Sequence, residues 1–162
     1  QLVPLIEKSI IYNVPIRFIE FMDVGSTNSW NLDSVITGSE MRKIIQNKFG
    51  PVIQKNSNYY GEVAKQWIIV DKKYEMGFIE SISSPFCGSC TRARISSNGH
   101  FFTCLFSEKG NDLLSLIRME AEISDVSQAV TKIWKNRNDK YSEERKDATK
   151  ERIPVEMSYI GG

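Results

Sequence analysis

All three cysteines of this 162-residue chain lie in one stretch, Cys87-Gly-Ser-Cys90-Thr-Arg92-Ala-Arg94 followed by Cys104. Two residues separate the first pair and thirteen separate the second. A CxxC pair at a turn sets two thiolates on one side of a loop. A third thiolate on a returning segment then closes three corners of a tetrahedron around a soft metal. A cluster held by three thiolates keeps one iron open to a small molecule. A structural zinc wants a fourth protein ligand, for which His100 on the returning segment is the candidate. Gly88 and Ser89 are small enough to let the loop wrap a cluster closely. Spacing alone leaves cluster and zinc both open.

Three cysteines, odd in number and clustered, do not form a disulfide framework; a reducing, cytoplasmic setting is expected. The chain is 41% apolar and 25% charged, enough for one domain with a proper core. Its formal net charge of +1 argues against non-specific nucleic-acid binding, so an anion site must be a local group of basic residues. No apolar run approaches the roughly 20 residues a bilayer helix needs, so no membrane span is expected. No signal peptide opens the chain. Gln1 is not an initiator, and an apolar helical pattern (Leu2, Leu5, Ile6, Ile10) begins at once. The chain therefore reads as the second part of a longer protein. Without its first part, strand edges and apolar surface would be bare, which favours association. A homodimer is among the assemblies open to it.

The fold expected is α/β at the start and α+β in the C-terminal part. Ile16 to Met22 is a strand rich in β-branched and aromatic residues, preceded by a helix after the break Asn13-Val14-Pro15. Asp23 to Trp30 is a loop at the strand's C-terminal end, where α/β folds place their chemistry. Thr37-Gly-Ser-Glu40 resembles a capping box, with Ser39 as the alternative cap. The helix it starts carries Met41, Ile44, Ile45 and Phe49 and stops at Gly50-Pro51. Val63–Val70 and Tyr74–Ile82 form a hairpin across Asp71-Lys72-Lys73. Arg92–Ser96 and His100–Cys104 form another across Asn98-Gly99. Asn111 or Asp112 can cap a helix over Leu113–Arg118. Ser124 can cap a second with Val126, Ala129, Val130, Ile133 and Trp134 on one face. The charge-dense run Asn138–Arg152 is expected to be solvated.

Arg92 and Arg94, two apart in the predicted strand, project from one face, and their forked donors suit phosphate. A solvated strand face is the commoner use of Arg-x-Arg, but these arginines adjoin the cysteines. Arg17 is a charge in an otherwise apolar strand, which is costly unless it is paired or faces a cavity. Glu20 is the candidate ion-pair partner, although residues three apart in a strand face opposite ways.

The sequence IRFIEFMDVG with Asn28-x-Trp30, then SPFCGSCTRARIS, then Cys104 in FTCLF and a terminal MSYIGG resembles one family. It is the radical S-adenosylmethionine (SAM) family of molybdenum cofactor biosynthesis protein A, the GTP 3′,8-cyclases. The resemblance covers essentially the whole chain as the family's C-terminal half. It implies the C-terminal portion of a partial TIM-like barrel over residues 1–50. Residues 51–162 would be antiparallel hairpins and helices that carry an Fe-S cluster and the substrate. It assigns Cys87, Cys90 and Cys104 to a [4Fe-4S] cluster whose open iron meets guanine. It assigns Arg17, Arg92, Ala93 and Arg94 to GTP, Met22 to SAM, and the Gly161-Gly162 tail to cyclisation. Glu20, Asn28 and Trp30 belong to the motif without individual roles. SAM is cleaved at a second [4Fe-4S] cluster held by a CxxxCxxC motif, which is absent here. The fragment alone should therefore be inactive. The product would pass to cyclic pyranopterin monophosphate synthase. Two other readings remain: a zinc-stabilised binding module, and a radical SAM protein with an auxiliary cluster acting on a peptide. Arg92-x-Arg94 and MSYIGG favour the cyclase over the latter.

Overall fold

Helix α1 (Leu2–Ile11) opens the chain, and strand β1 (Ile16–Ile19) follows after the Pro15 break. The computed structural model describes residues 1–25, 27–145 and 155–160. They form two compact units, Gln1–Met22 with Trp30–Cys90, and Asp23–Ser29 with Thr91–Gly162. Gly161 and Gly162 lie outside the described residues.

In the first unit, α2 (Gly38–Phe49) begins with the expected capping box. Glu40 N–H donates to Thr37 Oγ1 (3.2 Å) and Thr37 N–H to the Glu40 carboxylate (2.8 Å). Gly50 ends the helix. A short strand β2 (Val52–Gln54) follows, then β3 (Lys65–Ile69) and β4 (Tyr74–Ile79), joined by a turn over 70–73 with Lys73 left-handed. The sheet order is β1-β4-β3-β2. Strand β1 runs parallel to β4, with Ile19 opposite Ile79, while the other pairs are antiparallel. The second predicted hairpin does not join this sheet, so the sheet is open and mixed.

Alternation along the strands explains the core. Phe18, Tyr74, Met76, Phe78 and Ile69 face α1 and α2, where Ile6, Met41 and Ile45 meet them. Met41 and Ile45 fit the helical reading, but Ile44 is 45% exposed because it points off that stripe. The Tyr74 hydroxyl accepts from Ile16 N–H (3.0 Å) and donates to the Val14 carbonyl (2.9 Å), so β4 fixes the link between α1 and β1. The opposite face carries Arg17 across from Gly77, with Ile19 and Ile53 more than half exposed.

The second unit holds a three-stranded antiparallel sheet of β5 (Arg94–Ile95), β6 (His100–Phe102) and β7 (Asn111–Asp112). The β5–β6 hairpin turns at Asn98-Gly99, with Gly99 at φ +77°. Helix α3 (Leu114–Arg118) starts one residue later than expected, with Leu113 at its N-cap and no side-chain cap there, while Asp112 Oδ1 accepts from Ser115 N–H (3.0 Å) one position ahead of the cap. Helix α4 (Ile123–Lys135) starts one residue before Ser124, which therefore does not cap it. Its half-buried residues do include Val126, Ala129, Val130, Ile133 and Trp134. A short α5 (Tyr141–Glu144) follows. Among the described residues, no helix is long and apolar enough to cross a membrane.

One close approach decides how α2 begins. A Cβ on Gly38 would stand 2.1 Å from Glu80 Oε1, and that carboxylate is held in place by Arg42 and Lys65. Overpacking of this kind costs about 1–3 kcal/mol, against a helix-propensity gain of at most about 1 kcal/mol. Gly38→Ala should therefore lower the urea midpoint. In a Glu80→Ala background the same change should be neutral or stabilising, because the obstructing group is gone.

Candidate functional site

Two neighbouring parallel strands, β1 and β4, finish at the same end of the first sheet. Each is followed at once by a buried carboxylate. Glu20 is 1% exposed and Glu80 is 4% exposed. Glu20 Oε1 accepts from Gly38 N–H (2.8 Å) and the Ser83 hydroxyl; Oε2 accepts from Ile82 N–H and Ser83 N–H, both at 2.8 Å. The sheet hydrogen bonding also extends one residue past β1, with Glu20 N–H donating to the Ile79 carbonyl (3.1 Å). Glu20 is therefore saturated on the helix-facing side and is not the partner of Arg17.

Glu80 is neutralised instead by cations. Arg42 Nη1 reaches Oε1 at 2.6 Å and Lys65 Nζ reaches Oε2 at 2.9 Å. The Arg42 guanidinium also lies 4.3 Å from the Trp67 ring centre and 5.3 Å from that of Phe78. Lys65 also donates to Ser84 Oγ (2.6 Å). Both carboxylates thus fix the segment Glu80–Ser84. Pro85 and Phe86 then lead to the turn Cys87–Ser89, closed by Cys90 N–H donating to the Cys87 carbonyl (3.2 Å). Cys87 and Cys90 are half-buried thiols at its two ends. A Cβ on Gly88 would meet nothing within 4 Å, so the turn's outer side is open. Arg17 lies exposed in β1, its stem over Gly77, where a Cβ would come within 3.2 Å of Arg17 Cγ. Met22, half-buried, is the last residue of this unit before the loop.

Cys104, Arg92, Ala93 and Arg94 belong to the second unit. Arg94 pairs with Phe102 in the hairpin, but Arg92 and Ala93 precede β5. The strand expected from Arg92 starts two residues later, so the same-face argument for the two arginines does not hold by strand alternation. Continuing each arm by two residues leads from Arg94 to Arg92 and from Phe102 to Cys104. Both thus follow the open end of the hairpin. Cys104 is a half-buried thiol whose sulfur accepts from Phe106 N–H (3.4 Å). His100, the candidate fourth ligand of a zinc, is half-buried opposite Asp112, with Nδ1 buried and without a hydrogen-bond partner among the described residues.

One network escaped the sequence reading. Asp23 accepts from the Tyr141 hydroxyl (2.5 Å) and pairs with Arg145 Nη2 (2.9 Å). The Phe106 ring stacks on Tyr141 at 4.7 Å. The described part of the charge-dense run, Asn138–Arg145, is thus partly engaged rather than solvated, its remainder lying outside the described residues, and no local pattern links Asp23 to residues so distant in sequence. The conformation of Gly25 is also used: at φ +70°, it lets the Glu156 carboxylate come where a Cβ would lie 2.3 Å away.

Within neither unit do three His, Cys, Asp or Glu side chains of the described residues gather as a metal site. Two thiols on a tight turn and a third with an N–H donor fit an iron–sulfur group by donor type. Both units mix helices and strands, and the candidate ligands lie on turns that follow β4 in the first and β6 in the second. Residues 14–143 match the family model described as Molybdenum Cofactor Synthesis C, and the chain belongs to that family. It is similar over its whole length to proteins named GTP 3′,8-cyclase. Identity is 44% to that of Staphylococcus epidermidis (strain RP62A), covering 48% of the relative. It is 42% to that of Xanthomonas campestris pv. campestris (strain B100), covering 47%. It is 40% to that of Staphylococcus haemolyticus (strain JCSC1435), covering 48%. The chain spans about half the length of these curated relatives.

Glu80 gives this region a pH signature. Burial pushes its pKa up, but the hydrogen bonds and charges of Arg42 and Lys65 outweigh burial and hold it below the ordinary value of 4.5. A carboxyl depressed in the folded state contributes stability above its unfolded pKa and loses it as pH falls through the folded pKa. Stability should therefore drop as pH falls from about 4.5. In Glu80→Gln that acid loss should be shallower and the urea midpoint at neutral pH lower. Glu40, Glu62 and Asp112, also depressed, should supply the remaining acid dependence.

Proposed function

We propose that this chain is the substrate-side part of a GTP 3′,8-cyclase, acting in the first step of molybdenum cofactor biosynthesis. The observation that carries this reading is identity of 40–44%, over the whole chain, to proteins of that name. Cys87, Cys90 and Cys104 would hold a [4Fe-4S] cluster, which when bound supplies an open iron as a Lewis-acid contact for guanine. Arg17, Arg92 and Arg94, with the Ala93 backbone, would bind GTP, the guanidiniums matching phosphate oxygens through fixed charge and forked donors. Met22 would touch SAM, and Gly161 and Gly162 would reach the reacting ribose, where only glycine backbone fits closely.

All three cysteines are used in this assignment, so the CxxxCxxC site that cleaves SAM in the family would draw on none of them. Among the described residues Arg17 makes no ion pair and its side chain is exposed, a placement that supports an anionic ligand there. The product would pass to cyclic pyranopterin monophosphate synthase, and the thiols suit a reducing cytoplasm.

The test is the metal and acid-labile sulfide content of the chain after anaerobic reconstitution. About four irons and four sulfides per chain, with broad absorbance near 400 nm, are expected. One tightly held zinc without sulfide would replace this reading with a zinc-stabilised binding module. Arg92→Ala and Arg94→Ala should each weaken GTP binding by about tenfold or more, the loss of a charge-assisted hydrogen bond. Their iron content should stay unchanged in the same preparations. Iron loss in either variant would sink the division between metal and phosphate residues.

A further inference from the structure

We infer that Glu20 is the positioning residue for the Cys87/Cys90 turn, its buried carboxylate fixing the segment from which both thiols are presented. The inference deepens the proposed cluster site and rests on it only for the nature of the ligand. An ionised carboxylate taken out of water is costly unless its oxygens are filled by donors. Glu20 meets no cationic side chain among the described residues. Its four donors are the N–H groups of Gly38, Ile82 and Ser83 and the Ser83 hydroxyl. Gly38 is the first residue of α2, so the positive end of that helix also favours the anion.

Three of the four donors thus come from residues 82 and 83, which precede Cys87 by five and four positions. Little freedom remains between them. Ser84 N–H donates back to the Glu80 carbonyl (3.1 Å), and its hydroxyl accepts from Lys65. Pro85 has a fixed φ. Ser89 N–H donates to the Phe86 carbonyl (3.3 Å), which starts the cysteine turn. The chain between Ser83 and Cys87 is therefore a short, braced arm, and the carboxylate is its fixed end. Glu80 braces the same arm but through cations, so charge-neutral replacement of the two residues should differ. Gln at position 20 would place an NH2 group among N–H donors, turning acceptance into repulsion.

The experiment compares the wild-type chain with Glu20→Gln and Ser83→Ala. It reads alkylation rates of Cys87, Cys90 and Cys104 under native conditions, together with amide exchange at Ile82 and Ser83. Loss of hydrogen bonds to a charged group raises local opening by about tenfold or more. Cys87 and Cys90 in Glu20→Gln should then alkylate about tenfold faster, with Cys104 in the other unit unchanged. Ser83→Ala removes one donor and should give a smaller rise with the same selectivity, which keeps the inference testable if Glu20→Gln does not fold. After reconstitution, Glu20→Gln should retain iron but show an altered cluster spectrum. Equal acceleration at all three cysteines, or none at Cys87 and Cys90 in either variant, would overturn the inference. If the wild-type chain takes up no iron and sulfide, the cluster reading fails, while the alkylation and exchange results still decide the role of Glu20.

Discussion

A carboxylate without a cation can stay buried only where backbone donors converge on it, and Glu20 is such a point. Strand β1 supplies the anion, α2 offers its first N–H, and the segment after β4 offers two more with a hydroxyl. Four hydrogen bonds of about 1.5–3 kcal/mol each, against a desolvation penalty of several kcal/mol, are of a size to compensate. The arrangement forces three segments far apart in sequence into register. It also explains why β1 and β4 are parallel neighbours although β2 and β3 lie between them in the chain. Glu80, one residue past β4, meets the same problem with Arg42 and Lys65. Gly38 is the residue that lets both solutions coexist, since its N–H feeds one carboxylate while its missing Cβ leaves room for the other.

Much of this fold was legible wherever a local rule decided the outcome. The capping box at Thr37, the stop at Gly50, the Asn98-Gly99 turn and the half-buried stripe of α4 all follow from residue type at short range. The misreadings have a common cause. Strand β5 begins at Arg94 rather than Arg92 because sheet pairing, not β propensity, sets where a strand starts. Strand β2 went unread because three residues after Gly50-Pro51 carry too little pattern to register. Ser124 loses its capping role to a helix that starts one residue earlier. Asp23 and Arg145 could not be paired from sequence, because nothing local marks a partner more than a hundred residues away.

The candidate site shows the same division. The cysteine spacing offered a candidate donor set, and family resemblance gave most of the motif residues an expected role. Its supporting structure was not legible. Glu20 stood in the sequence as an acid inside an apolar strand, a signal that something must compensate it. Nothing in the pattern named backbone N–H groups as the answer. The ion pair with Arg17 was the natural alternative, and strand alternation already spoke against it.

That alternation also sorts the basic residues of the first unit by what they can still do. Arg42 is committed to Glu80 and to the faces of Trp67 and Phe78. Lys65 is shared between Glu80 and Ser84, and Lys55 pairs with Glu75. A cation held in this way neutralises its partner and has little charge left to offer a ligand. Arg17 differs because the strand turns it away from the helices, Glu20 is filled by other donors, and Gly77 leaves a shallow place for its stem. Its guanidinium stays on the exposed side of the strand, where its charge acts on the Glu62 carboxylate instead of on the buried Glu20.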